Sequence, residues 1–69
     1  MTWLSNEGIN DDTPNQELPF TTLVQVRFKG SMNLHVDDFD DEGELDEFFW
    51  GRDNDPSDID EYRIVELPE

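Results

Sequence analysis

Hydrophobic and polar positions alternate most regularly in residues 21–29. In an extended chain Val24, Val26 and Phe28 fall on one side, and Gln25 and Arg27 fall on the other. An alternation with period two is typical of a β-strand that buries one face. The pattern therefore predicts a strand in this segment.

A second alternating segment follows a break at residues 30–31. Met32, Leu34 and Val36 alternate there with polar residues. A loop of two residues would put the apolar side chains of the two strands on opposite faces, because the side-chain period is two. A loop of three residues, or a bulge, pairs Phe28 with Met32 and makes one continuous apolar face. We therefore expect a β-hairpin with the odd-length loop.

A helical pattern follows in residues 44–50. Leu45, Phe48 and Phe49 have the i, i+3 and i+4 spacing of one face of a helix. A short helix is expected here, with its acidic side chains on the opposite face.

The last part of the chain admits two interpretations. Tyr62 and the β-branched pair Ile64-Val65 favour a strand over residues 59–67. A helix opened at Ser57 by a capping box is the alternative. We expect the strand.

Residues 1–19 show no hydrophobic period and are rich in Asn, Asp, Gly and Pro. They predict a flexible polar tail, followed by a single small acidic domain over residues 20–69. The expected fold class is α+β and mostly β, with a small three-stranded antiparallel sheet, one short helix and a disordered N-terminal tail.

Charge adds more to this picture than any other property of the composition. The chain has a formal net charge of −15, and residues 37–61 hold thirteen acidic residues and a single base, Arg52. Such a surface repels nucleic acid and anionic membranes and attracts a strongly basic protein surface. The charge also exceeds the magnitude of about 2 to 8 that keeps a small domain soluble.

The density of these charges is close to that of DNA. If residues 37–61 fold into about 20 to 25 Å, they carry about one net charge per 2 Å, whereas duplex DNA carries about one per 1.7 Å. We therefore predict a partner-binding surface made of Asp37, Asp38, Asp40, Asp41, Glu42, Glu44, Asp46 and Glu47, extended by Asp53, Asp55 and Asp58.

Aromatic residues are interspersed with these carboxylates. Phe48 and Phe49 are expected mainly in the core, whereas Trp50 is expected to be an exposed anchor, because Trp is enriched at interface hot spots. In this scheme charge supplies fast, salt-sensitive association, and Trp50 with Phe39 lengthens the lifetime of the complex.

Catalytic chemistry finds little support in the sequence. His35 is the single histidine, it is expected on the polar side of its strand, and Ser31 lies in a turn. A chain of 69 residues also offers little wall for a cleft that separates the pKa values of two carboxyl groups. Neither enzymatic activity nor a cofactor is expected.

Calcium binding is a weaker alternative. Asp38, Asp40 and Glu42, followed by Gly43, match the start of an EF-hand loop, but position twelve of that loop is Phe49 rather than the bidentate Glu that the loop needs. We therefore predict no dedicated metal site.

The start of the chain has no basic n-region and no apolar segment of a signal peptide, and no apolar run approaches the ~18 residues that span a bilayer. Cysteine is absent, so nothing points to an oxidising compartment. A cytoplasmic protein is expected.

The close of the chain carries a resemblance. Trp50, followed by Asp58-Ile59-Asp60-Glu61-Tyr62-Arg63-Ile64-Val65, resembles an ending found among short phage and prophage proteins, in which a Trp-containing loop precedes Asp-Ile-x-x-Tyr-Arg-(Ile/Val) on a last strand. The likeness covers residues 21–66 and implies a phage origin and a strand topology rather than a mechanism. This chain departs from those proteins in its heavy acid load and its long polar N-terminus.

In size and charge, although not in aligned residues, the chain is also similar to phage DNA-mimic inhibitors. Those proteins block host restriction enzymes, CRISPR effectors, gyrase, recombination nucleases or nucleoid proteins. The likeness implies a protein that acts in the host cytoplasm and occupies the DNA-binding groove of a host protein, without binding nucleic acid or membrane itself.

The alternative is an interaction module that docks by adding a strand to a partner, with charge serving only solubility. An uncovered sheet edge would also allow a homodimer.

Overall fold

The computed structural model describes residues 3–31, 35 and 37–68. These residues form one antiparallel sheet with strand order β1-β4-β2-β3. The strands are β1 (Leu4–Ser5), β2 (Leu23–Phe28), β3 (Asp41–Glu44) and β4 (Ile59–Glu66), and a 3₁₀ turn (Leu45–Glu47) follows β3 directly. The two long strands therefore lie at the centre of the sheet, and the two short ones form its edges.

The central strands form where the sequence predicts them. Val24 and Val26 of β2 are fully buried, and they pair with Ile64 and Tyr62 of β4. The predicted strands at residues 21–29 and 59–67 are thus confirmed, and the helical alternative for the second of them is wrong. Their apolar alternation builds one buried face, as the period of two requires.

In the described part of the chain β2 has two neighbouring strands, β3 and β4. Residues 32–34 and 36 lie outside the described residues, but β2 itself pairs with β4 on one side and with β3 on the other, where Val26 faces Asp41. Both edges of β2 are therefore occupied. β3 is acidic and exposed, so no apolar alternation marks it as a strand.

The sheet has four strands rather than the three that the sequence predicts. The additional strand, β1, belongs to the segment expected to be a tail, and Leu4 pairs with Tyr62 of β4. The pairing continues in a hydrogen bond of 2.9 Å from the Asn6 amide to the Asp60 carbonyl. Two paired residues are too few to give a detectable alternation.

The predicted helix over residues 44–50 is wrong. Only the 3₁₀ turn forms, and Phe48 already has an extended backbone (φ −116°, ψ 152°). Leu45 and Trp50 are both fully buried, although an α-helix would place residues five apart about 140° from one another. The extended backbone after the turn lets both side chains reach the core.

The core consists of side chains from β2, β4 and the segment after β3. Its fully or nearly fully buried members are Val24, Val26, Leu45, Trp50, Ile59 and Tyr62, and Leu18, Phe28, Phe48 and Ile64 pack against them. Loops rather than a helix thus supply the cover over the apolar face of the sheet.

Candidate protein-interaction surface

Eight acidic residues lie on the edge strand β3 and on the segments that flank it. They come from the loop before β3, from β3 and from the 3₁₀ turn, and every one of them is exposed. We call this surface the acidic face: Asp37, Asp38, Asp40, Asp41, Glu42, Glu44, Asp46 and Glu47.

Two arginines of the central strands fasten the loop that begins the acidic face. Arg27 donates to the carbonyl oxygens of His35 and Asp38, at 2.6 and 2.8 Å, and Arg63 donates to the carbonyl of Asp37 at 3.0 Å. The guanidinium groups bind side chains as well, since Arg63 donates to the Gln25 side-chain oxygen at 2.6 Å and Arg27 to Glu61 at 3.4 Å. The Asp37 carboxylate, 3.6 Å from Arg63, remains 85 % exposed.

The indole of Trp3 covers both guanidinium groups. Its ring centroid lies 4.0 Å from the central carbon of Arg27 and 4.6 Å from that of Arg63. Each contact has the geometry of a cation–π interaction. The N-terminal segment and the loop before β3 are therefore held on the same polar face of the sheet, and we call these three residues the Trp–Arg cluster.

The amides of the edge strand β3 are occupied by carboxylates. Asp41 accepts a hydrogen bond of 2.8 Å from the amide of Glu42, and Glu47 accepts one of 2.7 Å from the amide of Glu44. An edge strand with occupied donors is a poor template for a further strand. Strand addition is therefore disfavoured at this edge.

Asp40 has a structural role within the acidic face. Its two carboxylate oxygens accept hydrogen bonds of 2.8 Å from the Phe28 amide and 2.8 Å from the Ser31 hydroxyl. These bonds link the loop to the end of β2, so a substitution at Asp40 alters the shape of the face as well as its charge.

The predicted extension of the face is only partly exposed. Asp53 and Asp55 are exposed, but Asp58 is buried, and its carboxylate accepts the amides of Asp53 and Asp55 at 2.9 and 3.1 Å. Asp58 is therefore not part of the exposed surface, because its carboxylate is bonded inside the loop.

Two local hydrogen bonds change the pKa of Asp55. Hydrogen bonds from the amide and the hydroxyl of Ser57, at 2.9 and 2.8 Å, lower the pKa of the Asp55 carboxyl group. Hydrogen bonds to the ionised form favour that form. Asp55 therefore carries its full charge at neutral pH.

The expectation of an exposed Trp50 is also wrong. Trp50 is 0 % exposed, its indole Nε1 donates to the Leu45 carbonyl at 2.7 Å, and its ring meets that of Tyr62 edge to face at 5.3 Å. The main chain of Trp50 is hydrogen-bonded too, since the Asn6 side chain donates to the Trp50 carbonyl at 3.1 Å. Trp50 belongs to the core and cannot serve as an anchor.

The aromatic rings that do reach the surface are phenylalanines. Phe39 is 41 % exposed, and Phe20 and Phe49 are each 54 % exposed. Phe20 was missed by sequence reasoning, because it precedes β2 and lies outside the acidic segment. Its exposure depends on how the chain packs there, which no local pattern records.

The cations of the described residues are all engaged within the molecule. Arg27 pairs with Glu61 at 3.4 Å, and Arg52 pairs with Asp60 at 3.3 Å. Arg63 pairs with Asp37, and Lys29 bonds the side-chain oxygen of Asn54. Of the eight carboxylates in the acidic face, Asp37 alone has an ion pair in the described part of the chain.

A groove of about 620 Å³ lies beside β1 and is lined by Leu4, Glu7, Ile9, Glu17 and Tyr62, among others. Burial raises the pKa of the Tyr62 hydroxyl, since desolvation disfavours the phenolate. The phenol therefore stays protonated at neutral pH.

Within the described residues, no group of three or more His, Cys, Asp or Glu side chains is arranged to hold a metal ion. The carboxylates of the EF-hand-like segment have other partners, since Asp40 binds β2 and Glu42 accepts the Gln25 amide at 2.7 Å. The described part of the chain also contains no helix long and apolar enough to span a membrane.

Comparisons of the chain with family models, curated proteins and solved structures found no match.

Proposed function

We propose that the protein is a phage-encoded DNA mimic that inhibits a host DNA-binding protein by occupying its DNA-binding groove. It would act in the host cytoplasm as a binding protein, without catalysis, cofactor or direct contact with nucleic acid. Gyrase, a restriction or CRISPR nuclease, a recombination nuclease and a nucleoid protein are the classes of target.

The observation that carries the proposal is the acidic face, in which Asp37 alone has an ion pair within the described part of the chain. Eight exposed carboxylates lie on β3 and on the segments directly before and after it, while the described arginines bond backbone carbonyls and acids that lie mostly outside this face. A surface of this kind steers a basic partner towards itself and gains affinity when that partner releases its counterions.

The dimensions of the molecule support the same proposal. Its long axis measures 34 Å, and a duplex of that length carries about 20 phosphate charges. The net charge of −15 is of the same order. A groove shaped for about ten base pairs of DNA would therefore meet a ligand of matching length and charge.

The alternative, docking by strand addition, has less support. The outward amides of β3 are occupied by carboxylates, and the other edge strand, β1, has two residues. A strand added at β1 would gain few backbone hydrogen bonds.

The proposal is tested by capture from a host lysate. The tagged protein is immobilised, washed at low salt and eluted with duplex DNA in one arm and with polyglutamate of equal total charge in the other. A DNA mimic releases a DNA-binding protein to the duplex at a lower charge concentration than to polyglutamate, because only the duplex fits the groove. Its affinity also falls steeply between about 50 and about 300 mM salt.

Two results would contradict the proposal. One is a partner that neither polyanion elutes, which would place the interface on an apolar surface or a sheet edge. The other is binding that stays constant across the salt range.

A further inference from the structure

Two phenylalanines and two aspartates converge on a pocket at the end of the acidic face. Asp12, Phe20, Asp46 and Phe48 line a cavity of about 170 Å³. The four residues come from three separate segments, and a hydrogen bond of 3.0 Å from the Asp46 amide to the Phe20 carbonyl joins two of them. We call this cavity the Phe–Asp pocket.

The pocket is supported from the core. Phe48 is half-buried, and its ring meets that of the fully buried Trp50 edge to face at 6.0 Å. Trp50 is in turn fixed by its bond to the Leu45 carbonyl. One wall is therefore packed on the core, whereas Phe20, at 54 % exposure, lies at the rim.

The chemistry of the lining favours a cation. The face of a phenyl ring carries partial negative charge and attracts ammonium and guanidinium groups, and Asp12 and Asp46 add two exposed carboxylates. The ion pairs formed by the described arginines involve Glu61, Asp60 and Asp37 instead. The pocket thus combines negative charge and aromatic surface without a cation of the described chain in it.

We propose that the Phe–Asp pocket binds the side chain of an arginine presented by a basic partner. A planar guanidinium stacks on a phenyl ring and donates to carboxylates at the same time, whereas the ammonium of lysine is more strongly hydrated. The volume suits one side chain, since sites for drug-sized ligands measure about 300 to 1,000 Å³.

The proposal deepens the proposed function and rests on it for the source of the arginine. Long-range charge accelerates encounter, and a desolvated contact lengthens the lifetime of a complex. The Phe–Asp pocket provides such a contact at one end of the acidic face. It would therefore be the anchor that the sequence predicted at Trp50.

The first test needs no host protein. The full-length protein is titrated with Nα-acetylarginine methylamide at constant ionic strength, and the ring resonances of its phenylalanines are followed by NMR. The citrulline analogue, which has the same shape without the charge, is the control ligand. We expect saturable shifts of the Phe20 and Phe48 rings with arginine, smaller ones with the lysine analogue and none with citrulline.

Matched variants locate the site. Phe20→Ala is compared with Phe49→Ala, because the two rings have the same exposure, and Asp46→Asn is compared with Asp53→Asn, which makes the same change in net charge. Phe20→Ala and Asp46→Asn should each weaken binding of the probe about two- to fivefold, and the two control variants should leave it unchanged. Amide spectra of all four variants confirm that they fold.

Two outcomes would overturn the proposal: equal shifts with citrulline, or equal losses in the control variants. Failure of the pocket proposal can be distinguished from failure of the proposed function. Probe binding without a DNA-competitive partner would retain the pocket and reject the mimic. A DNA-competitive partner that binds Phe20→Ala as tightly as the natural chain would retain the mimic and reject the pocket.

Discussion

At the scale of single residues, burial decides which aromatic rings can reach a partner. Trp50 has the side chain most often found at interface hot spots, yet it is fully buried and bonded to Leu45. Phe20 and Phe49 belong to a less favoured type and are exposed. Residue type alone therefore gives the wrong anchor.

Replacement of Trp50 tests its place in the core. Trp50→Ala should lower the free energy of unfolding by about 3 to 5 kcal/mol, because it removes a large buried side chain and leaves a cavity. Phe49→Ala is the control and should cost less than about 1 kcal/mol, since the ring is mostly in water. Urea unfolding followed by circular dichroism measures both. Similar small losses of stability in the two variants would mean that Trp50 is exposed rather than buried.

Asp55 provides a test of the loop before β4. Its pKa is lowered by the bonds from the Ser57 amide and hydroxyl, so it should titrate below an ordinary aspartate in a ¹³C-detected NMR titration. Ser57→Ala removes the hydroxyl but keeps the amide, and the pKa should therefore rise part of the way to the ordinary value.

The sign of the linked stability follows from the same shift. Because the pKa is lower in the folded state than in the unfolded state, ionised Asp55 stabilises the fold above its unfolded pKa, and this contribution is lost as the pH falls through the folded pKa. An unchanged titration in Ser57→Ala would mean that the hydroxyl bond is absent in solution.

At the scale of elements, short segments without periodicity complete the sheet. β1 pairs two residues with β4, and β3 is an acidic strand at the opposite edge. Each is held by side chains as well as by its backbone pairing: β1 lies beside the indole of Trp3, and the loop before β3 is held by Arg27 and Arg63. The Trp–Arg cluster therefore couples the N-terminal segment to the acidic face.

Removal of the indole tests this coupling. Trp3→Ala should lower the free energy of unfolding by about 1 to 2 kcal/mol, because two cation–π contacts of about 0.5 to 1 kcal/mol each are lost. It should also speed amide hydrogen exchange in the loop that contains Asp37 and Asp38. Trp3→Phe keeps a ring and should retain much of the stability. No change in either quantity would mean that the indole does not hold the N-terminal segment against this loop.

At the scale of the whole molecule, the large net negative charge destabilises the folded state. A net charge of −15 on 69 residues creates self-repulsion that destabilises the compact state. The described residues offset it with three ion pairs that are partly exposed, and pairs of that kind each contribute little.

Added salt should therefore stabilise the protein. Screening weakens repulsion between exposed charges beyond the Debye length, about 10 Å at 0.1 M. A gain of about 1 kcal/mol would raise the melting temperature by about 4 to 8 °C in a domain of this size. Melting curves in sodium chloride and in sodium perchlorate of equal ionic strength separate screening from specific salt effects. A falling melting temperature in both salts would show that the ion pairs outweigh the repulsion.

The role of the acidic face in binding is tested by neutralising three of its carboxylates. Asp37→Asn, Glu42→Gln and Glu44→Gln together should weaken binding to the captured partner about tenfold or more, because they remove three carboxylates from the contact surface. Asp40 and Asp41 are left intact, since their carboxylates hold the loop and the edge strand.

The matched control neutralises three exposed acids that do not belong to the acidic face, Glu7, Asp11 and Glu17. It makes the same change in net charge and should weaken binding less than about threefold, because it leaves every carboxylate of the contact surface in place. Equal losses in the two triple variants would assign the attraction to net charge rather than to this face.

The sequence by itself determined what depends on local periodicity and on composition. Val24 and Val26 predicted β2 by their alternation, because a half-buried strand has a period of two. Tyr62 and the β-branched pair Ile64-Val65 predicted β4 by their strand propensity. The run of acids also placed the acidic face on the surface, since unpaired charges are rarely buried.

Only the tertiary structure decided which segments come together. β1 and β3 lack apolar alternation, and they become strands because the edges of β2 and β4 offer them backbone partners. Trp50 turned inward because an extended backbone after the 3₁₀ turn brings it to Leu45 and Tyr62. The Phe–Asp pocket joins side chains from residues 12 and 20 with those of residues 46 and 48. Contacts of this kind depend on packing across the whole chain, which no local pattern contains.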